Sequence, residues 1–481
     1  MNPKELKGQI EVSRTVEDLT LSVFLRLGTL QNVLGDYSYM MPPKGRKNRR
    51  SLGPDVISNL PDNVIDVILM RLPCKDAVRT SILSKKWRYH WCRLTKLKLD
   101  ESLWKTKKDK LSPTVKFTKI IYQILTLHEG PINKFKLDVV DSKRCPTIDN
   151  FIYFLSRNDI QHLVLHFPWQ KIYKMPSSLF ECSQLRHLTL HDCSIHPPSA
   201  FKGFSSLVSL ELCRVTISFE LLESLINHCP LLERLVLQVS EILNIIEINA
   251  PMLKSFDFTG SISSLCLKNV PLLTKASLHL YQGSSVEAEN FYLAKFFESC
   301  FALEHVSLYF GDKFDYACAD QAPTRLPFDH NRVKHFYVPY MNPRESYKLS
   351  YYLCLIRSFS YLESFETEVL NLHDAGVVES LELERFSDVI FNHLKEVKLK
   401  IFSGMTHEMQ LIKLFLAKSP VLVRVLIDPS YLCIKNLISL DRRSEIFAEF
   451  SNFFRASPKA EVVYMYLDNQ TSRFNQIVNF D

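Results

Sequence analysis

The sequence predicts an α/β protein in which a small all-helical module is followed by an irregular repeat solenoid and a closing α/β unit. Three observations predict this architecture. Three short apolar helices fit between residues 56 and 92, a six-residue apolar pattern recurs from Ile132 onward, and a strand–helix–strand pattern follows Phe386. At 481 residues the chain is long enough for several domains, or for one domain and a repeat array.

The composition is that of a globular protein, with 46% hydrophobic and 23% charged residues. The 12 glycines form neither of the two glycine-rich nucleotide-binding motifs. No uncharged apolar run approaches the ~18 residues that span a membrane, and the N-terminus lacks the apolar core of a signal peptide. The 12 cysteines form no C-x-x-C pair, which favours a reducing compartment. We therefore expect the nucleus and/or the cytoplasm, with no membrane partner.

The net charge of +7 is concentrated in two segments. Residues 1–54 carry 9 basic and 5 acidic side chains, and residues 85–119 carry 12 basic and 3 acidic ones. The basic cluster at residues 44–50 fits either nuclear targeting or a solvated tail, and we expect a disordered tail. The second segment lies near Trp91 and Trp104, which could stack on bases. No nucleic-acid-reading motif accompanies it, so nucleic acid is not an expected partner.

The helical module begins after Leu60-Pro61, because proline suits the first position of a helix. Apolar residues then recur at helical spacing, namely Val64, Ile65, Ile68, Leu69 and Leu72. Pro73 ends this helix. Asp76 is expected to cap a second helix, and Ser84 a third that carries Trp87.

Fewer than 40 residues cannot bury these apolar faces alone, so the segment is expected to dock on a partner. The alternative is an ordinary helical hairpin of the main core. The stretch from Leu60-Pro61 through Leu72-Pro73 to residues 83–87, LSKKW, closely resembles the F-box. This resemblance implies binding to the Skp-family adaptor of a cullin–RING ubiquitin ligase. By resemblance, nine residues are assigned to the adaptor-binding surface or its support: Leu60, Pro61, Ile65, Leu69, Leu72, Pro73, Val78, Leu83 and Trp87.

The repeats follow the pattern L-x-x-L-x-L, and the first positions of the early copies are 28, 25, 22, 25 and 21 residues apart. This is the period of leucine-rich repeats, whose units stack to bury a common core, and the fold is expected to be a horseshoe. The clear copies begin at residues 132, 160, 185, 207, 232, 253, 303, 333, 394 and 422, with weaker copies at 273 and 362. Helices are expected at residues 219–229 and 290–300. Cys182, Cys229 and Cys300 each precede a copy by three residues and are expected to be small buried side chains.

Polar side chains between the apolar strand positions are expected to face a concave side and to bind substrate. His162 should neighbour His187, and His166 should neighbour His191, because adjacent strands lie ~4.8 Å apart. Positions four apart on one strand are ~13 Å distant, so these are two pairs rather than one metal site, and no metal is expected. The candidate substrate face comprises His162, His166, His187, His191, Glu211, Arg234, Gln238, Asp257 and Tyr309.

Residues 393–404, 408–420 and 421–429 form a strand–helix–strand pattern that resembles the FBD region of plant F-box/FBD/LRR-repeat proteins. A terminal unit of this kind must shield the open end of a solenoid. The predicted organisation is a tail at 1–54, an F-box at 55–100, a leucine-rich-repeat solenoid at 101–385 and an FBD-like region at 386–470.

No catalytic motif occurs, including H-E-x-x-H and G-x-S-x-G. The F-box resemblance therefore implies a non-catalytic substrate receptor of an SCF-type (Skp–cullin–F-box) E3 ubiquitin ligase that needs no cofactor. Two alternatives remain at this point. One is a leucine-rich-repeat interaction protein that binds the adaptor without degrading anything, and the other is a small-molecule-responsive receptor.

Overall fold

In the computed structural model the chain divides into two compact units, Met1–Leu231 and Leu232–Asp481. The predicted tail at residues 1–54, the basic cluster within it, and Trp104 lie outside the described residues. The structure describes residues 57–100, 103, 113–139, 147–169, 172–281, 293–311, 325–327, 330–341, 346–369, 389–428, 440–467 and 473–477.

The first unit begins with the predicted helical module. Its elements are α1 (Asp62–Arg71), α2 (Cys74–Arg79) and two 3₁₀ helices, Thr80–Ile82 and Trp87–Arg93. The prediction that Asp76 caps the second helix is wrong. Pro73 is the N-cap residue, and Asp76 lies inside the first turn, where its carboxylate pairs with Arg79 at 3.3 Å. Proline supplies the extended backbone that a helix start requires, so no side-chain cap is needed there.

The interior of this module is built on Trp87, whose side chain is fully buried with Ile65 and Leu69. Lys86, the neighbour of Trp87, donates from Nζ to the carbonyl oxygen of Leu60 at 2.5 Å and pairs with Asp62 at 3.0 Å. These contacts hold the start of α1 against the 3₁₀ helix that closes the module.

The strands of the first unit form a parallel array in the order β1-β2-β3-β5-β7. These strands are β1 (Lys96–Leu99), β2 (Lys134–Asp138), β3 (His162–His166), β5 (His187–His191) and β7 (Ser209–Cys213). Strands β4 (Tyr173–Lys174) and β6 (Cys193–Ser194) pair separately. The other helices are α3 (Pro113–Leu127), α4 (Thr147–Ser156), a 3₁₀ helix (Ser177–Glu181) and α5 (Phe219–Asn227).

The array starts one repeat earlier than the sequence pattern predicted. Strand β1 pairs in parallel with β2, with Leu97 opposite Phe135 and Leu99 opposite Leu137. Leu94, Leu97 and Leu99 are buried and follow the same L-x-x-L-x-L spacing. The first repeat strand therefore directly follows the helical module.

The second unit continues the repeats with nine parallel strands and one antiparallel strand among its described residues. The parallel strands are β8 (Arg234–Asn249), β9 (Ser255–Lys268), β10 (Lys275–Leu280), β11 (His305–Phe310), β12 (His335–Met341), β13 (Ser364–Val369), β14 (Glu396–Lys400), β15 (Arg424–Asp428) and β16 (Glu461–Leu467). Strand β17 (Arg473–Ile477) pairs antiparallel with β16. The helices are α6 (Leu293–Glu298), α7 (Ser346–Ser358), α8 (Thr406–Lys418) and α9 (Leu440–Ser451).

Burial alternates along the strands, which confirms the strand interpretation of the repeat. In β3 and β5 the leucines are buried and the residues between them are partly exposed. The two weaker copies also form strands. Ala276 of β10 is buried, and Thr367 of β13 is buried with its hydroxyl donating to the carbonyl oxygen of Val338 at 2.9 Å. A threonine is accepted at an apolar position because its polar group is satisfied.

A shared backbone acceptor joins the starts of most neighbouring strands within each unit. The N–H groups of Arg186 and His187 both donate to the carbonyl oxygen of Gln161, at 2.8 and 2.9 Å. In the second unit, Lys254 and Ser255 share the carbonyl oxygen of Glu233 in the same way, at 2.8 and 3.0 Å. Because a carbonyl oxygen has two lone pairs, one carbonyl group can bind the next strand twice before the ladder begins.

The recurrent cysteines are buried, as predicted, and Cys182, Cys229 and Cys300 are free thiols. The thiol of Cys229 donates to the carbonyl oxygen of Leu225 at 3.1 Å, one helical turn earlier. Burial raises the pKa of Cys229 to about 11. These thiols are therefore protonated and serve to fill the repeat core.

The predicted strand–helix–strand unit near the C-terminus is also present as β14, α8 and β15. The start of α8 is held by Glu408, a fully buried carboxylate that accepts the N–H groups of Ser403 and Met405, each at 3.0 Å. Among the described residues, the helices are too short or too polar to cross a membrane.

Candidate functional site

The nine F-box candidates separate into an internal set and a surface set. Five are buried within the first unit, and these are Ile65, Leu69, Leu72, Val78 and Trp87. Leu60 and Leu83 are partly exposed, and Pro61 and Pro73 are exposed. The buried set packs the module, so only the surface set is open to a partner.

Two exposed apolar side chains of α1 were missed by the sequence analysis. Val67 and Met70 are 37% and 45% exposed, and they lie three residues apart on one side of the helix. Val64, three residues earlier, is partly exposed on the same side. Tyr89 of the 3₁₀ helix is 58% exposed. The helical phase of Val67 and Met70, opposite to that of Ile65, was the signal in the sequence that could have identified these two residues. We refer to Val64, Val67 and Met70 as the α1 stripe.

The charged groups near the start of α1 are paired with one another. Lys86 contacts Asp62 at 3.0 Å, and this hydrogen bond is the main cause that lowers the pKa of the Asp62 carboxyl. His90 Nδ1 lies 3.2 Å from Asp66 Oδ1. The polar groups here are therefore engaged in holding α1 to the 3₁₀ helix.

The partly exposed residues of the first-unit strands carry five of the nine candidates for the substrate face. We call this surface the open face of the first unit, and its described members are Lys136, Asp138, His162, Val164, His166, His187, Thr189, His191, Ser209 and Glu211. The predicted histidine neighbours are confirmed. The rings of His162 and His187 stack at 4.2 Å with an interplanar angle of 6°, and those of His166 and His191 lie at 4.2 Å and 38°.

The two histidine pairs differ in their electrostatic surroundings. His166 Nδ1 lies 2.5 Å from Asp138 Oδ1, and His191 Nε2 lies 3.5 Å from Glu211 Oε1. By contrast, the charges that act on His187 are the cations Lys134 and Arg186. Burial is the largest cause that lowers the pKa of both His187 and His191, so both rings are neutral at physiological pH.

The other four candidates lie on strands of the second unit. Arg234 is exposed, and its guanidinium lies 3.8 Å from Asp257 Oδ2. Gln238 is partly exposed at the end of the first half of β8. The Tyr309 ring packs edge-on against His279 at 5.8 Å. All four therefore belong to a partly exposed, polar sheet surface.

A depression of about 450 Å³ opens on this surface of the second unit. Its lining includes Asp257, the stacked rings of His305 and His335, and the pair of Glu366 and Lys398. The rings lie 4.5 Å apart with an interplanar angle of 5°, and the Lys398–Glu366 distance is 4.0 Å. The lining combines these charged pairs and imidazoles with the apolar side chains of Ala276, Val306 and Phe336, so the depression offers both polar and apolar contacts.

Comparison with known proteins agrees with this architecture. A family model described as F-box domain matches residues 57–99, and a model described as FBD-associated F-box protein At5g56370, LRR repeats, matches residues 148–309. The F-box/FBD/LRR-repeat protein At1g13570 of Arabidopsis thaliana is 32% identical over 427 residues, which cover 86% of this chain and 99% of the relative.

Two further Arabidopsis thaliana relatives match about half of the chain. The F-box/LRR-repeat protein At4g14103 is 29% identical over 216 residues, covering 43% of this chain and 55% of the relative. The F-box/FBD/LRR-repeat protein At5g56420 is 28% identical over 250 residues, covering 49% of this chain and 58% of the relative. The resemblance that the sequence motifs indicated is thus confirmed. From its helical module, its stacked parallel repeats and its similarity along almost the whole length of a relative, this chain belongs to the plant F-box/FBD/LRR-repeat protein family.

Proposed function

We propose that this F-box protein is the substrate-recognition subunit of an SCF-type E3 ubiquitin ligase. In this proposal the F-box docks a Skp-family adaptor, and the repeats bind a protein substrate. The observation that carries it is the α1 stripe. The module already buries Trp87 and its other large apolar residues internally, yet it leaves Val67 and Met70 exposed side by side. An apolar stripe on one side of a helix is a common protein-docking surface.

The role requires no chemistry from this chain. A receptor accelerates ubiquitin transfer by holding substrate and ligase together, which raises the effective concentration of one near the other. The reactive groups of the transfer belong to its partners.

The surface of the second unit favours a protein substrate over a small molecule. Small-molecule sites are concave, largely apolar and enclose most of their ligand. The depression around His305 and His335 is instead open to solvent, and its lining mixes charged pairs such as Lys398 and Glu366 with apolar side chains such as Val306 and Phe336. An open surface of mixed polarity matches the composition of transient protein interfaces.

The adaptor is tested with a full-length double variant, Val67→Glu with Met70→Glu. Both side chains are exposed, so the variant should fold, but two buried carboxylates at a docked interface would be strongly unfavourable. Co-purification of the Skp-family adaptor should be lost, while circular dichroism and the melting temperature stay unchanged.

The matched control is Tyr122→Glu on α3, a side chain that is 50% exposed and lies outside the helical module. This variant should bind the adaptor as the wild type does. Adaptor binding that survives in the double variant would contradict the assignment of α1 as the docking helix. Equal loss in both variants would point to a different docking surface.

A further inference from the structure

Four potential metal ligands lie side by side at the carboxyl ends of neighbouring strands in the first unit. The register places Asp138 opposite His166, His166 opposite His191, and His191 opposite Cys213. Each of these residues is the last of its strand. Glu211 lies two residues before Cys213 and therefore points to the same face of β7. Parallel pairing has thus gathered imidazole, carboxylate and thiol groups in one row.

Three of these groups converge. His191 Nε2 lies 3.5 Å from Glu211 Oε1, and Cys213 Sγ lies 3.9 Å from the same oxygen. The ligand atoms of His191, Glu211 and Cys213 all lie within 4.8 Å of one another. Bond lengths of about 2.0–2.3 Å to zinc imply ligand-to-ligand distances of roughly 3.3–3.7 Å in a tetrahedral site. The His191–Glu211 and Cys213–Glu211 distances are close to this range. A side-chain movement of about 1 Å would bring the His191 and Cys213 ligand atoms to the same separation.

We propose that His191, Glu211 and Cys213 form a binding site for a zinc-class divalent cation, with the fourth position open. Nitrogen, oxygen and sulfur ligands in one site favour zinc over magnesium or calcium, which prefer oxygen alone. The fourth position would take water or a donor atom from a bound partner. No metal was expected from the sequence, because the spacing of the histidines alone gives two separate pairs and does not reveal that Cys213 lies beside His191.

The free site is prepared for a cation at its imidazole. Nε2 of His191 is buried and faces Glu211 Oε1 at 3.5 Å, the limit of hydrogen-bond distance, so it is aimed at the centre of the cluster. The guanidinium of Arg214, whose charge acts on His191, is held by two hydrogen bonds of 2.7 Å to Asp192, so its charge is compensated.

The Cys213 thiol would become a thiolate when the metal binds. Cys213 is a free, buried thiol whose sulfur lies 3.9 Å from Glu211 Oε1. A metal binds the thiolate, so coordination forms a metal–sulfur bond and releases one proton from Cys213 to solvent.

His166 supports the His191 ring from one side. The two rings lie 4.2 Å apart, and His166 is itself held by the contact of its Nδ1 with Asp138.

The test is titration of the purified full chain with Co²⁺ and, separately, with Zn²⁺. Co²⁺ bound to a thiolate gives a charge-transfer band in the near ultraviolet, and tetrahedral Co²⁺ gives visible d–d bands. The wild type should show both sets of bands, which Zn²⁺ should abolish at one equivalent. Calorimetry in buffers of different ionisation enthalpy should show release of one proton.

Three variants test the individual ligands. Cys213→Ser should lose the charge-transfer band. Glu211→Gln and His191→Gln should each raise the apparent Kd for Co²⁺ by at least the roughly 10–100-fold known for supporting partners of metal sites.

The chain supplies two matched controls. His187→Gln removes the equivalent ring of the other stacked pair on β5, which has cations rather than a carboxylate nearby, and it should leave Co²⁺ binding unchanged. Cys182→Ser removes a buried thiol of the same unit and should retain the charge-transfer band. The absence of a thiolate band in the wild type would overturn the proposal. A band that persists in Cys213→Ser, or disappears equally in Cys182→Ser, would also overturn it. Because the wild-type spectrum alone can refute the site, the test does not depend on every variant folding.

Discussion

The indole N–H of Trp87 donates a hydrogen bond to the backbone carbonyl oxygen of Ile57, 2.9 Å away and 30 residues earlier in the chain. Both side chains are buried. This contact joins the entry of the F-box to its closing 3₁₀ helix. The module is small, so the single large side chain that contacts both ends contributes a large share of its stability.

Trp87→Ala should therefore cost the F-box about 3–5 kcal/mol, as expected for loss of a fully buried tryptophan. Trp87→Phe keeps a large ring but leaves the Ile57 carbonyl oxygen without its donor, which should cost about 1–3 kcal/mol. Hydrogen exchange of the α1 amides measures both effects. Tyr89→Phe, a change on an exposed ring of the same segment, should stay within about ±0.5 kcal/mol. A similar loss for Tyr89→Phe would show that the buried contact is not the cause.

The repeat core is tested separately in each unit by Leu188→Ala in β5 and Leu235→Ala in β8. Both leucines are buried, and each change should cost about 2–5 kcal/mol. Thr189 and Gln238 lie on the partly exposed side of the same strands, and alanine there should change stability by no more than about ±0.5 kcal/mol. The measurement is hydrogen exchange on peptides from β5 and β8. Equal costs at the two sets would contradict the observed strand faces.

The stacked histidines of the first unit predict a loss of stability in acid. Burial lowers the pKa of His162 and His187 below the ordinary value of 6.5. The folded rings then bind fewer protons than the unfolded ones. The stabilising contribution is therefore complete above pH 6.5 and is lost as the pH falls below it. Lys134 and Arg186 act in the same direction on both rings, because each opposes a further positive charge.

This prediction is measured by thermal unfolding between about pH 8 and about pH 5, a range that spans the ordinary histidine pKa. The wild type should lose more of its melting temperature below pH 6.5 than His187→Gln does, since the variant has one ring fewer to protonate. His196→Gln, a change at an exposed histidine, should follow the wild type. Identical curves for wild type and His187→Gln would rule out the stacked pair as the source.

The proposed ligase role predicts that a docking-defective receptor protects its substrate. A full-length Val67→Glu/Met70→Glu chain keeps both repeat units but should lack the adaptor, so its captured partner should accumulate in cells. Deletion of residues 55–100 is less suitable, because it would also remove β1, which pairs with β2.

The readout is the half-life and ubiquitination of the partner that co-purifies with both chains. The half-life should lengthen and ubiquitination should fall in the variant. If binding is equal and the half-life does not change, the chain is an interaction protein that does not direct degradation.

The local sequence was sufficient to predict the strands of the repeat and the first helix of the F-box. Leu188 and Leu190 alternate with polar residues because only one face of their strand is buried, and this alternation is visible without any tertiary contact. Pro61 and Pro73 bound α1 for an equally local reason, since a proline ring fixes its own backbone angle. Strand β1 could also have been predicted from the sequence, because Leu94, Leu97 and Leu99 repeat the pattern that was recognised only from Ile132.

Tertiary structure decided which of those residues are surface and which side chains meet. The F-box motif includes both Trp87 and Pro61, but packing buries Trp87 and leaves Pro61 exposed. Packing also leaves the side chains of Val67 and Met70 exposed on the surface of α1. The convergence of His191 with Cys213 depends on the register of β5 against β7, which pairs residues of two separate repeats. The alternation of apolar and polar residues in the sequence specifies which face of a strand is buried. The neighbours across that face are determined only when separate repeats stack, because their contacts join residues that are distant along the chain.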